Sequence, residues 1–317
     1  MIGGQGNDTY YFELGDSVSG DHVNESVGEG TDVILFGAGI SIEDIYMWTD
    51  NFGNLLVRYS DNDTLTIMST AATNYALNVG AHVESIKFAD NTVLDLTQGL
   101  VLHASPTGQA IGSNADDTLI GSSSADNMNG YDGDDTLDGG AAYDQLFGGM
   151  GNDIYYFEVG DSTSGDNVIE QAGQGTDRIL FGAGIEVDDV YSWTDHYGTL
   201  YLQYSANDTL SVTGSIDANG DLNVGTHIES IEFADSTVWD IADGLFLRNN
   251  DIGRAMYGSG YADMIIGGAG VDQISAGAGD DTIIGGASAD YMTGGTGDDT
   301  YIFNLGASTS GDTVAEA

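Results

Sequence analysis

Apolar side chains recur along much of this chain at intervals of nine residues. From Gly112 the frames read GSNADDTLI, GSSSADNMN, GYDGDDTLD, GGAAYDQLF and GGMGNDIYY. From Gly258 they read GSGYADMII, GGAGVDQIS, AGAGDDTII, GGASADYMT and GGTGDDTYI, and one more, GGQGNDTYY, starts at Gly3. The eighth place is always apolar or aromatic: Tyr10, Leu119, Met128, Leu137, Leu146, Tyr155, Ile265, Ile274, Ile283, Met292 and Tyr301. One apolar residue in nine cannot build a helical stripe, which wants three or four per two turns. It suits a short strand whose single inward side chain stacks on the same place of neighbouring coils.

Between the clusters the period shortens to two. NLLVRYSDNDTLTIM and TLYLQYSANDTLSVT read as strand, Asn-Asp turn, strand. VESIKFADNTVLDL and IESIEFADSTVWDI read as a second hairpin about Asp90-Asn91 and Asp235-Ser236. GISIEDIYMW and GIEVDDVYSW predict one helical turn leading to Trp48 and Trp193, which their strand-period neighbours place in the core. GDSVSGDHVNE and GEGTDVILF keep a looser beat, which predicts irregular coils extending the array. There Asp16/Asp21 and Asp161/Asp166 are either a further ion site or solvated acid.

A longer repeat contains both patterns. Residues 12–102 align without a gap on 157–247, with GTDVILFGAGI against GTDRILFGAGI and ESIKFAD against ESIEFAD. The unit is roughly 145 residues long, and a third copy breaks off at Ala317, as expected of an excerpt from a longer array. The expected divisions are cluster residues 1–11, 103–156 and 248–302, module residues 12–102 and 157–247, and the start of a third module over 303–317. The fold class is all-β, with parallel solenoid segments alternating with antiparallel hairpin modules.

Charge sharpens this picture. The 317 residues hold 51 Asp and Glu against five Lys and Arg, a formal net charge of −46. That field disfavours nucleic acid and anionic membranes as partners and favours cations. Glycine appears 48 times and proline once, so glycine answers a repeated backbone need and does not mark a loose linker. Without cysteine there is neither a disulfide nor a thiolate metal site. No apolar run approaches a membrane span, and the N-terminus lacks a signal-peptide core.

The sixth place of every frame is Asp: Asp8, Asp117, Asp126, Asp135, Asp144, Asp153, Asp263, Asp272, Asp281, Asp290 and Asp299. A carboxylate per coil beside glycine turns with exposed carbonyls is a hard-oxygen set, suited to calcium with its 6–8 ligands. A phosphate cradle fits badly. The one lysine, Lys87, lies outside every frame, no helix follows, and the acid repels phosphate. A metal-free solenoid would bury aligned Asp rows at high cost.

These frames resemble the GGxGxDxUx nonapeptide of repeats-in-toxin (RTX) haemolysin-type calcium-binding proteins, and the segments between them resemble the haemolysin-type calcium-binding-related module. The resemblance implies a parallel β-roll, bacterial type I secretion, and folding on several Ca2+ ions outside the cell. It makes the sixth-place aspartates the carboxylate ligands. It gives turn geometry and carbonyls to Gly3, Gly4, Gly6, Gly130, Gly133, Gly139, Gly148, Gly149, Gly151, Gly267, Gly268, Gly270, Gly277, Gly279, Gly285, Gly294, Gly295 and Gly297. Ala115, Ser124, Ala142, Tyr261 and Ser288 stand where the family prefers a fourth-place glycine, so those turns are expected to bind weakly or serve only as coils. HASPTGQAI and RNNDIGRAM are degenerate entry turns, with Gly108 and Arg254 in place of Asp, and no ion is expected there. About three ions per cluster are expected.

No HExxH or GxSxG stretch occurs, and His22, His82, His103, His196 and His227 are isolated, so no enzyme is expected within this chain. The function expected is a secreted or cell-surface calcium-binding repeat region, structural or adhesive. The alternative is the C-terminal secretion and folding tail of a secreted protease, lipase, epimerase or toxin. Beyond calcium, the expected partners are the chain itself, by end-to-end or lateral assembly, or a surface glycan or matrix component.

Overall fold

One buried side chain per nine residues holds a strand when the coils above and below supply the same residue. In the computed structural model the strand Thr118–Ser122 pairs in parallel with Thr136–Gly140, setting Leu119 beside Leu137. The intervening strand Asn127–Asp132 lies in a different sheet, where Met128 meets Ala110. Successive frames thus alternate between two sheets, and two frames make one turn of a parallel β-roll. Leu119, Met128, Leu137 and Leu146 are all fully buried. At about 25 cal/mol per Å2 each such side chain stabilises the roll by about 1.5–3 kcal/mol.

The structure describes residues 1–16, 20–69, 72, 74–216, 222–250, 252–303 and 311–315. Much of the expected third module, at 304–310 and 316–317, lies outside the described residues. The chain divides into two compact units, residues 1–140 with 146–153, and residues 141–145 with 154–317.

In the first unit, Thr9–Phe12, Val33–Phe36 and Ser85–Lys87 pair in parallel, and Val93–Asp95 closes the sheet antiparallel. A second sheet runs from Asp21–Asn24 to Thr64–Met68, then antiparallel through Leu55–Arg58 to Tyr46–Thr49, and on to Val101–His103 and Thr118–Ser122. Both hairpins predicted from the period of two are present. Each also continues the roll, because Ile86 stacks beside Ile34 and Leu65 beside Asp21 in parallel registers. Sequence reading treats hairpin and roll as separate pieces; the structure makes each hairpin donate one strand to the stack.

The second unit repeats this arrangement. Ile154–Phe157, Arg178–Phe181 and Ser230–Glu232 are parallel. The antiparallel strands Tyr191–Thr194, Leu200–Gln203 and Thr209–Thr213 form its meander. Its nonapeptide strands stack Leu247 on Ile265 on Ile283, and Met256 on Ile274 on Met292.

The predicted helical turn is a 3-10 turn, Ile42–Asp44, with a twin at Val187–Asp189. The module cores are aromatic. Phe36 lies 4.6 Å from Tyr59 and 5.8 Å from Phe88, and Phe181 lies 5.0 Å from Tyr204 and 5.5 Å from Phe233. Trp48 and Trp193 are not in these cores. Their strands bury Met47 with Thr49 and Ser192 with Thr194, so strand alternation turns both indoles outward, half-buried.

Candidate metal centre

Stacking two frames per turn aligns the sixth-place aspartates in columns. The backbone N–H of Asp117 donates to Oδ1 of Asp135 at 2.7 Å, and that of Asp135 to Oδ1 of Asp153 at 2.8 Å. In the second unit Asp263 donates to Asp281 at 2.8 Å and Asp281 to Asp299 at 3.1 Å. On its other side Asp272 donates to Asp290 at 2.9 Å and Asp290 to Asp312 at 3.2 Å. Asp144 donates to Asp166 at 2.9 Å. One oxygen of each aspartate that accepts such a bond is therefore used in holding the coils in register.

The second oxygen is the informative one. Oδ2 of Asp8, Asp135, Asp272, Asp290 and Asp299 is buried with no hydrogen-bond partner among the described residues. A buried, unpaired carboxylate oxygen is costly unless a cation or a proton meets it. The first-place glycine explains how it comes to be there. A Cβ at Gly130 would lie 2.1 Å from Oδ2 of Asp135, and one at Gly294 would lie 1.9 Å from Oδ2 of Asp299. The same holds at Gly3 over Asp8, Gly267 over Asp272 and Gly285 over Asp290, at 2.3, 2.6 and 2.7 Å. The carboxylate folds back over its own turn into the space that a side chain would fill. Second- and fourth-place glycines serve differently, as at Gly149 and Gly151, whose φ of 113° and 137° lie in the left-handed region.

The frames without fourth-place glycine split into two kinds. Ala142 and Ser288 keep the left-handed turn, with φ of 96° and 82°. Ala115, Ser124 and Tyr261 avoid it, and each follows a second-place serine. There the chain closes its own turn: Ser113 Oγ donates to Asp117 Oδ2 at 2.9 Å, and Ser259 Oγ to Asp263 Oδ1 at 2.8 Å. Ser122 N–H donates to Asp126 Oδ2 at 2.6 Å. These hydroxyls and amides occupy carboxylate lone pairs of the kind left buried and unpartnered at Asp135 and Asp299.

Burial governs the titration of the columns. It pushes the Asp135 carboxyl up to about 8, with the charges of Asp117, Asp153 and Asp116 adding to the effect. Asp263 rises to about 7 and Asp166 to about 6 for the same leading reason. Asp117, Asp272 and Asp290 also shift upward by burial. Carboxyls held so far above their ordinary range mark a fold that awaits positive charge.

At the front of the chain three acids converge. Asp8, Glu25 and Asp32 place one carboxylate oxygen each within 4.8 Å of one another. Asp8 N–H donates to Asp32 Oδ1, Asp32 N–H to Glu84 Oε2, and Gly3 N–H to Glu25 Oε1. Sequence reading named Asp8 as a candidate ligand and did not name Asp32, Glu25 or Glu84. Glu84 was detectable: Glu84-Ser85-Ile86 repeats the acid-x-apolar beat, with Ile86 fully buried. Glu25 carries no such signal, because only the stacking of its loop over Gly3 brings it in. Asp16 accepts from the Glu13 amide and caps an exposed turn. His82 is a packing residue whose Nδ1 meets the Glu25 carbonyl at 2.7 Å.

The model of the RTX calcium-binding nonapeptide repeat matches residues 1–18, 111–146, 129–163, 257–292, 266–301 and 275–309. The clusters are RTX repeats. Between them, the haemolysin-type calcium binding protein related domain matches residues 54–98 and 205–243. RTX repeats bind Ca2+, and the orphaned Oδ2 atoms fit a hard divalent cation. No curated protein matches this chain. Among solved structures, the extracellular lipase LipA from Serratia marcescens is similar at 14% identity and a TM-score of 0.23. The match covers 70% of this chain and 38% of the lipase chain. The RTX frames also carry a fifth-place ladder: Asp134 N–H donates to Asp116 Oδ1 at 2.9 Å, and Asn152 N–H to Asp134 Oδ1 at 2.7 Å. No helix among the described residues is long and apolar enough to cross a membrane.

Proposed function

We propose that this chain is an extracellular, calcium-loaded array of RTX rolls that acts as a structural or adhesive spacer and folds on meeting Ca2+ after type I export. The observation that carries this reading is the row of buried, unpartnered Oδ2 atoms on Asp8, Asp135, Asp272, Asp290 and Asp299. The chain's own residues divide the work. First-place glycines clear space for the carboxylate, second- and fourth-place glycines turn the backbone, and the aspartates present one oxygen inward. The calcium ligands in this reading are these aspartates with Asp144, Asp153 and Asp281 and the carbonyls of their glycine turns. Asp117, Asp126 and Asp263 belong to coils closed by serine.

A net charge of −46 and raised carboxyl pKa values keep the chain open where calcium is scarce. Calcium outside the cell neutralises the columns, so ion binding and folding become one event. Circular dichroism with calcium titrated into chelated protein tests this. Strand content should rise cooperatively with calcium; full strand content in chelator, unresponsive to calcium, would refute the reading.

A further inference from the structure

The front of the first unit brings together residues that no nonapeptide frame links. Asp8 belongs to the frame GGQGNDTYY, while Glu25 and Asp32 come from the irregular coils after it. One carboxylate oxygen from each lies within 4.8 Å of the other two. The point where Gly3 would carry a Cβ is 2.3 Å from Asp8 Oδ2 and 2.2 Å from Glu25 Oε1, so these two oxygens face the same space. Glu25 and Asp32 are 3% and 1% exposed, and Asp8 Oδ2 is buried without a hydrogen-bond partner. Carboxylates this close and this far from water repel one another unless a cation or protons lie between them.

A second group points to the same place. Tyr10 is 6% exposed, and its hydroxyl is buried with no hydrogen-bond partner among the described residues. It stands two residues past Asp8, so strand alternation carries both side chains to one side of the chain. The same residue types recur 145 positions on, as Asp153, Tyr155, Glu170 and Asp177. There the Tyr155 hydroxyl donates to Oε1 of Glu170, so a tyrosine at this place reaches the glutamate. A phenol can donate to a carboxylate while turning a lone pair to a cation. Backbone amides hold the acids in position: Glu25 accepts from Gly3 N–H at 2.9 Å and Gly4 N–H at 3.2 Å, and Asp32 from Asp8 N–H at 2.8 Å. These bonds fix where the carboxylates stand and leave each with further lone pairs.

We propose that Asp8, Glu25 and Asp32 hold one Ca2+ at the joint between the nonapeptide coil and the module after it, and that this ion binds more tightly than those of the frames. This rests on the calcium-loaded reading above and adds to it a site built partly from module residues. The affinity of a calcium site rises with the number of charged ligands and with rigidity. Asp8 and Asp32 are related as Asp117 and Asp135 are, by an N–H donated to Oδ1 of the next aspartate in the column. Glu25 adds a third carboxylate to that pair. The joint therefore fills first as calcium rises, and its ion ties the module's first coils to the frame before them.

The test uses the whole chain, chelated and then titrated with calcium against a competing chromophoric chelator, which counts the ions in each affinity class. Terbium luminescence excited through tyrosine gives a second readout. Glu25→Gln should take one ion out of the tightest class, weakening it by at least about tenfold, the floor for disturbing a metal site. Tyr10→Phe keeps the ring, and should weaken that ion by about fivefold, the scale of one hydrogen bond, and lower the first step of terbium emission. Glu13→Gln removes the same charge from an exposed acid outside the cluster and should leave the tightest class unchanged. An unchanged tight class in Glu25→Gln, or equal weakening by Glu13→Gln, would overturn the proposal. So would a Glu25→Gln chain that loses stability in saturating calcium yet keeps every tight ion, since Glu25 would then serve only the Gly3 and Gly4 amides. Should Glu25→Gln not fold at any calcium level, Tyr10→Phe decides, and an unaltered tight class there overturns the proposal. Any of these results beside a normal calcium-dependent dichroism signal sinks this inference and leaves the array reading standing; a native chain whose dichroism ignores calcium sinks the array reading itself.

Discussion

The backbone N–H of Asp117 donates to Oδ1 of Asp135, 18 residues further on, at 2.7 Å. That bond gives each column its register, and it leaves the other oxygen of Asp135 buried and unmatched. Asparagine imitates the first role and fails at the second. Asp135→Asn and Asp290→Asn should therefore each lower the calcium stoichiometry seen by calorimetry. The calcium midpoint for folding should rise by about tenfold, the usual scale for disturbing a metal site.

The pH dependence follows from the same burial. The Asp135 carboxyl, at about 8 in the fold, lies well above the unfolded value near 3.9. The calcium-free fold thus binds more protons than the open chain, so its stability is highest below pH 4 and declines as pH rises from about 4 to about 8. Circular dichroism of chelated protein taken from pH 8 to pH 4 should show this as strand content that rises as the pH falls. Calcium binding should release protons near neutral pH, seen as a buffer-dependent heat.

Space at the first-place glycine makes a separate claim. A Cβ at Gly294 would lie 1.9 Å from Oδ2 of Asp299, and one at Gly130 would lie 2.1 Å from Asp135 Oδ2. Gly130→Ala and Gly294→Ala should each cost about 1–3 kcal/mol even at saturating calcium, as overpacking does. Urea denaturation in excess calcium is the measurement.

Serine closure predicts the opposite calcium response. Ser259 Oγ supplies Asp263 with a donor inside its own turn. Ser259→Gly removes it and should lower stability at limiting calcium by about 1 kcal/mol, the worth of one hydrogen bond. The deficit should shrink when calcium is added, because the exposed lone pair then has a cation available. Paired melts at limiting and at saturating calcium decide this.

The outward tryptophans show where sequence reading stops. A strand-period run around Trp48 argues for burial, yet which alternate residues face inward depends on the neighbour the strand joins. Met47 and Thr49 are inside because Tyr46–Thr49 lies beside Leu55–Arg58 and Val101–His103. Period alone cannot choose between the two faces.

The nine-residue beat by itself determined the β-roll, the coil spacing, the buried eighth place of the frames, as at Leu119 and Met292, and the candidate ligand aspartates, because each is a local rule repeated in every frame. Tertiary structure decided what depends on residues far apart in the chain. It joined Gly3 to Glu25 and Asp32 to Glu84, it showed that Ser113 and Ser259 bond the aspartate of their own turn, and it set Arg254 on Trp193. Stacking depends on which loop lies above which, and no local pattern encodes that order.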